Sequence, residues 1–307
     1  MSIVGSWLES LDFQYKISEA CVRKKSKRAS CTNCLEACPV EGAIRLEERN
    51  PVLDSEKCKE CGSCMSACPV QAVEGVFPKR YVRGKELVAD NSSIPSVSEL
   101  LIYHAKGLES ILPAEEALND LWQKRMDEAN EILDCIGLEP YRVLEVQKLN
   151  AGEETLSRRQ LFTFWGEETK KLVKDVTPAN WRFNHDRLEL APYYPDYQFY
   201  EVQVDAERCT LCKTCEVLCP KHCFSIGEAG FTVTAQTCSS CGLCADSCPE
   251  KALEIRGKAS IASSETLDVH QKTCTTCTKT FQTLHKEQQK CPPCTRHKQG
   301  YLSSRIC

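Results

Sequence analysis

Long apolar runs are missing from this chain of 307 residues. No stretch approaches the roughly 20 residues that a helical membrane span needs, so a soluble protein is expected. The opening residues MSIVGSWLES have no charged n-region, no long apolar h-region and no small-residue cleavage site. Export, and with it a compartment that favours disulfides, is therefore not expected, and the reading is a cytoplasmic protein. Familiar catalytic signatures are missing too: there is no GxGxxG string, no P-loop and no Cys-x3-Cys-x2-Cys triple. An independent catalytic activity is accordingly not expected.

What the chain has is cysteine, 23 in all, and sixteen of them fall into four near-copies of one string. Three copies are regular: Cys58-x2-Cys61-x2-Cys64-x3-Cys68-Pro69, Cys209-x2-Cys212-x2-Cys215-x3-Cys219-Pro220 and Cys238-x2-Cys241-x2-Cys244-x3-Cys248-Pro249. The fourth is stretched: Cys21-x9-Cys31-x2-Cys34-x3-Cys38-Pro39, with five positive charges among the nine inserted residues. Three thiolates two residues apart can wrap a short loop around one face of a metal–sulfide cubane, its backbone N–H groups aimed at the sulfurs. The next residues start a helix that carries the fourth cysteine away, and proline then stops that helix. Zinc sites normally use two Cys-x2-Cys pairs, which this string is not. A loop insertion costs little closure entropy, so Cys21 can complete the first site. The alternative is a [3Fe–4S] or labile centre with Cys21 free.

Around these motifs the text repeats in pairs: CPVEGAIRLEE with CPVQAVEGVF, and CPKHCFSIGEAGFTV with CPEKALEIRG. Each Cys-Pro leads into a short β-prone string. The two octets, 21–68 and 209–248, resemble bacterial-type two-cluster ferredoxins, in which three cysteines of a run bind one cluster and the fourth binds its neighbour. The resemblance implies a pseudo-symmetric βαββαβ unit per octet and four [4Fe–4S] clusters. It places Cys21, Cys31, Cys34 and Cys68 on the first cluster, and Cys58, Cys61, Cys64 and Cys38 on the second. Cys209, Cys212, Cys215 and Cys248 fall on the third, and Cys238, Cys241, Cys244 and Cys219 on the fourth. Together with its tail the chain looks like a polyferredoxin-like electron-transfer protein. The stretched motif also resembles that of ferredoxin-like proteins accompanying molybdopterin enzymes such as formate dehydrogenases.

The tail carries Cys274-x2-Cys277 and, after thirteen residues, Cys291-Pro-Pro-Cys294. It resembles a zinc ribbon, with Phe281 at a core aromatic position. Four thiolates in two such pairs form a closed tetrahedral site that suits zinc, and also a rubredoxin-like iron. His270, His285 and His297 are read as surface residues, since four cysteines already saturate the site. Cys223 is read as a small apolar core residue; Cys135 and Cys307 are left over.

The fold class is thus α+β: two dicluster domains separated by a mainly helical insert, plus a small zinc ribbon. The boundaries are 1–80 for the first ferredoxin-like domain, 81–200 for the insert, 201–257 for the second and 258–307 for the tail. Within the insert, 97–110 and 113–135 have helical apolar spacing, the second with Pro113 at its start and Gly137 past its end. A strand is expected over 141–146 and a helix over 156–174. The Tyr193, Tyr194, Tyr197, Phe199 and Tyr200 group reads as ordinary packing rather than as a cluster lid. Ser157-Arg158-Arg159-Gln160-Leu161-Phe162 looks like a twin-arginine signal but lies mid-chain with no apolar run after it; it resembles Ser-Arg-Arg strings of cytoplasmic multi-cluster ferredoxins, the alternative being an exposed helix start.

The formal charge is −4, spread as +1, −7, −3 and +5 over the four segments. Bound thiols are deprotonated, so a holo-protein with four clusters and zinc would carry about −14. The expected partner is a redox protein, or a molybdopterin or flavin oxidoreductase of which this chain is a subunit. A nucleic-acid role, resting on Lys24, Lys25, Lys27 and Arg28 and on the basic tail, is disfavoured by the acidic whole.

Overall fold

The computed structural model describes residues 15–75, 80–91, 94–114, 117–145, 188–228 and 230–296. The segments 156–174 and 157–162, with His297 and Cys307, lie outside them. The chain divides into two compact units, 1–24 with 32–193, and 25–31 with 194–307.

In the first unit, β1 (Lys16–Ile17), α1 (Val22–Lys25), α2 (Asn33–Glu36), β2 (Ile44–Glu47), β3 (Asn50–Leu53), α3 (Ser63–Ala67) and β4 (Val73–Glu74) follow in order. β1 pairs antiparallel with β4, and β2 with β3. The paired strands are only two to four residues long. The core they close is correspondingly small: Tyr15, Ile44, Cys64, Met65 and Val73.

Residues 80–145 add β5 (Val82–Arg83), β6 (Glu86–Ala89), α4 (Val97–Ala105), β7 (Ser110–Pro113), α5 (Asp120–Cys135) and β8 (Arg142–Val143). The sheet order is β5-β6-β7-β8, with β6, β7 and β8 mutually parallel. Two helices were expected here and two are present, packed on each other; the parallel sheet between them was not expected. Helix α4 stops at Ala105 rather than at 110, and Gly107, at φ +94°, turns the chain out. Residues 110–113 then alternate in burial with period two, as a strand does. Pro113 ends that strand and does not open a helix; α5 starts seven residues later, capped by Asn119, whose side chain accepts the Trp122 N–H at 2.9 Å. Its buried residues, Trp122, Met126, Ala129 and Leu133, form one stripe of 3.6-residue period. Gly137, at φ +73°, lies past its end, where the sequence places a stop.

The second unit repeats the first pattern with longer strands: β9 (Tyr197–Val204), α6 (Thr214–Leu218), β10 (Phe224–Ile226), β11 (Gly230–Thr234), α7 (Leu243–Ser247) and β12 (Leu253–Ile261). β9 pairs with β12 and β10 with β11, all antiparallel. β13 (Ser264–Asp268) extends the β10–β11 hairpin into a three-stranded sheet. The tail is the hairpin β14 (His270–Thr273) and β15 (Thr280–Thr283), followed by α8 (Pro292–Arg296). Leu284 of the tail is buried in the same core as Val202, Phe224, Phe231, Cys219 and Cys244. The anchor of the tail is thus Leu284 rather than Phe281, which stays half-buried. Tyr194 and Phe199 pack edge to face at 5.3 Å, both nearly buried, in keeping with a packing role.

Candidate metal-cluster sites

The three regular motifs share a backbone course that their side chains do not announce. The chain turns left-handed just before the second cysteine, at Glu60, Leu211 and Ser240 (φ +53°, +53° and +54°). It does so again just after it, at Gly62, Lys213 and Gly242, and three residues past the fourth cysteine, at Gln71, His222 and Lys251. Such a conformation costs an L-residue about 1–2 kcal/mol, and for a bulky residue such as Leu211 it is unusual. Its recurrence at matching positions means that something common to all three loops offsets the cost. Alternating right- and left-handed residues turn successive N–H groups to one side, the arrangement that binds anions. Here they turn to sulfur. The Glu60 N–H donates to Cys58 Sγ and that of Ser240 to Cys238 Sγ, each at 3.4 Å. The Ala72, Cys223 and Ala252 N–H groups donate to Cys68, Cys219 and Cys248 Sγ at 3.2, 3.5 and 3.3 Å.

The third cysteine of each regular motif sits in the first turns of α3, α6 or α7. The fourth ends the same short helix in extended backbone, so it faces elsewhere. Cys38, the fourth cysteine of the stretched motif, lines one cavity together with Cys58, Cys61 and Cys64. Cys248 lines another with Cys209, Cys212 and Cys215. The crossing over of the fourth cysteine is the arrangement that the ferredoxin resemblance implies.

The thiols feel one another. Burial first, and then the charges of Cys38, Cys61 and Cys58, push the Cys64 thiol up to about 12. Cys244 is likewise pushed up to about 12, first by burial and then by Cys241 and Cys219, which places Cys219 beside the motif of 238–248. Buried thiols this close hold their protons until a cation displaces them, so binding releases protons.

In the stretched motif the approach to Cys21 begins as that to Cys209 does. The Ser18 N–H bonds Ala72 O at the end of β1, as the Asp205 N–H bonds Ala252 O at the end of β9. Cys21 then bonds Ser18 O, three residues back, at 3.2 Å, whereas Cys209 bonds Asp205 O, four residues back, at 2.9 Å, so Cys21 comes one residue earlier. The left-handed positions are not repeated here: Thr32, just after Cys31, has φ −125°. Cys34 and Cys68 belong to the first unit with Cys21, while Cys31 belongs to the second. In that second unit residues 26–30 are tied to α7. The Ser30 N–H and hydroxyl donate to Asp246 Oδ2 at 2.6 and 2.8 Å, and Ser247 Oγ donates to Ser26 Oγ at 2.9 Å.

Sequence reasoning missed Tyr15. Its ring lines the cavity of Cys38, Cys58, Cys61 and Cys64, and its hydroxyl donates to Glu60 O at 3.1 Å. Gly75 is required beside it, since a Cβ there would meet the ring at 2.7 Å. By strand register the matching residue of the second unit is Val202, so the internal repeat held no signal for it. Cys223 is buried as expected, but it also touches function: its thiol lies 3.4 Å from Thr237 Oγ1, between the Cys219 and Cys238 sulfurs with which it shares hydrogen bonds. Cys135 is exposed and far in sequence from any motif.

In the tail the Sγ atoms of Cys274, Cys277, Cys291 and Cys294 all lie within 4.8 Å of one another, and those of Cys277 and Cys291 are 3.7 Å apart. A tetrahedron with metal–sulfur bonds of about 2.3 Å has edges of about 3.8 Å. The Cys291 N–H donates to Cys274 Sγ at 3.3 Å, and this bond leads the causes that bring the Cys274 thiol down to about 6. His270 and His285 take no part in this group.

Among the described residues no helix is long and apolar enough to cross a membrane, and the cysteines are free of disulfides. Against known families, a 4Fe-4S dicluster domain matches residues 27–72. The match takes in seven motif cysteines, from Cys31 to Cys68, and leaves Cys21 outside it. No curated protein matches the chain. Over the matched residues the chain carries a ferredoxin-like iron–sulfur domain, the kind of domain that serves electron transfer.

Proposed function

We propose that this protein relays single electrons through four [4Fe–4S] clusters, two in each cysteine octet, and holds a structural zinc in its tail. The crossed cavities carry the reading: three cysteines of one motif and the last of its partner line each. The clusters would cycle between 2+ and 1+, and each pair would sit close enough for hopping within its ferredoxin-like unit. The tail site has four sulfurs and no open position, which fits a structural ion rather than a catalytic one.

Reconstituted protein is expected to hold about 16 iron atoms and one zinc per chain. Cys61→Ala is expected to lower iron to about 12 and to remove one reduced-cluster signal in electron paramagnetic resonance. Full iron in that variant would overturn the assignment of Cys61. A second reading is a dedicated subunit of a molybdopterin or flavin oxidoreductase. Anaerobic purification from the native host, with a stoichiometric enzyme retained, would favour it over a free carrier. A nucleic-acid role stays disfavoured by the net charge of −4, and binding that persists at physiological salt would be needed to restore it.

A further inference from the structure

Resting on that relay reading, one corner of one cavity stands apart. Of the four cysteines that line the cavity of the 209–219 motif, Cys248 is buried and Cys209 and Cys215 are half-buried, but Cys212 is exposed. The four share one cavity, so the cavity alone does not account for the difference. Among the described motif cysteines Cys212 is the exposed one. Thr214 Oγ1 lies 3.3 Å from its sulfur, so the exposed atom has a polar neighbour.

The surroundings suit contact with another protein. The Val217 N–H bonds Lys213 O at 3.0 Å, which sets Val217 one helical turn beyond the Cys212–Lys213 step. Its side chain is 78 % exposed and apolar. Lys213, which would otherwise dominate the charge here, is drawn to the Ile226 carbonyl at 3.1 Å. Glu207 and Arg208 are exposed nearby in the chain and of opposite sign. Val217 thus offers one exposed apolar side chain about a helical turn from the exposed sulfur, with charge of both signs close by in the sequence.

We propose that the protein exchanges electrons with its redox partner at the Cys212 corner. The partner would be a one-electron redox protein whose cofactor edge is bare at its own surface and comes against Cys212 and Val217. One electron moves: the cluster falls from 2+ to 1+ as the partner's cofactor is oxidised by one, or the reverse. No bond to the protein forms or breaks and no proton is required. Electronic coupling falls off exponentially with distance, so the most exposed of the described motif cysteines marks the corner at which exchange is fastest.

The test uses the reduced holo-protein and hexaamminecobalt(III), a cationic one-electron oxidant, in anaerobic stopped flow at low salt. Charge next to the exchange site steers a charged reagent, and salt screens that effect. Val217→Glu is expected to speed oxidation several-fold and Val217→Lys to slow it several-fold, both effects vanishing at high salt. The control is Ile261, 77 % exposed at the end of β12, roughly 25 Å along the strand from its start at Leu253. Ile261→Glu and Ile261→Lys are expected to leave the rate nearly unchanged. Equal responses at 217 and 261 would overturn the Cys212 corner while leaving the relay intact. Loss of any reduced [4Fe–4S] signal in the unsubstituted protein would instead overturn the relay reading itself.

Discussion

Stripping the iron with a chelator under air is expected to unfold residues 15–75 and 200–257 while sparing most of the helical signal. The reason lies in where each core comes from. The main buried cluster of residues 15–75 is five side chains, one of them Cys64. That of residues 200–257 includes Cys219, Cys223 and Cys244. Segments this small bury too little apolar surface to fold without their metal. The left-handed loop residues would add their strain once nothing holds the N–H groups in place. The helices there are four or five residues long and add little to far-UV circular dichroism.

Residues 80–145 are built differently. Their helices run to 9 and 16 residues, and their buried residues, among them Leu87, Leu100, Ile111, Trp122, Met126 and Leu133, include no cysteine. Trp122 Nε1 donates to Asp90 O at 3.0 Å and the Tyr141 hydroxyl to Leu100 O at 2.7 Å, tying helices to sheet without metal. Limited trypsin digestion followed by mass spectrometry would check this. In the apo-protein, cuts at Lys57, Lys59, Arg208 and Lys251 should speed at least tenfold, while a fragment spanning about 80–145 persists. Continued protection of 15–75 after complete iron loss would show that its fold does not depend on the clusters.

The cysteine motifs were legible in the sequence because cubane chemistry asks for both a residue type and a spacing, and neither depends on distant parts of the chain. Placing Cys38 with Cys58, Cys61 and Cys64 needed the resemblance, since the motif spacing alone does not say where its fourth cysteine goes; the four line one cavity. What stayed hidden was hidden for physical reasons. Glu60, Leu211 and Ser240 adopt φ values that their side chains do not favour, so no propensity could reveal them. The β6-β7-β8 sheet was missed because SILP is four residues long and ends in proline, and its strand character comes from parallel pairing with ELVA 24 residues earlier. Tyr15 and Leu284 act through contacts with residues far along the chain. A single Tyr or Leu carries no periodic signal.

Glu99→Ala is expected to destabilise the first unit by about 3–5 kcal/mol, the usual cost of removing one partner of a buried ion pair. Ser96-x-x-Glu99 reads as a capping box at the start of α4. Half of the box is present: Ser96 Oγ accepts the Glu99 N–H at 3.2 Å. The carboxylate turns instead to Arg80, which donates from Nε at 2.7 Å and from a terminal nitrogen at 3.0 Å, while the Tyr103 hydroxyl donates at 3.1 Å. The two side chains are 1 % and 7 % exposed, so water cannot replace a lost partner. Alanine would remove this carboxylate from beside the buried guanidinium. Glu99→Gln should cost less, because it keeps acceptor and volume. The double change Glu99→Leu with Arg80→Met should recover most of the loss, since both charges leave together. Urea unfolding of the holo-protein, followed by far-UV circular dichroism, would measure the series, with iron content assayed alongside. Unchanged iron with a midpoint shift in the order Ala, Gln, double would locate the effect in this pair. A loss below about 1 kcal/mol for Glu99→Ala, the range of an exposed pair, would mean that water reaches the site in solution.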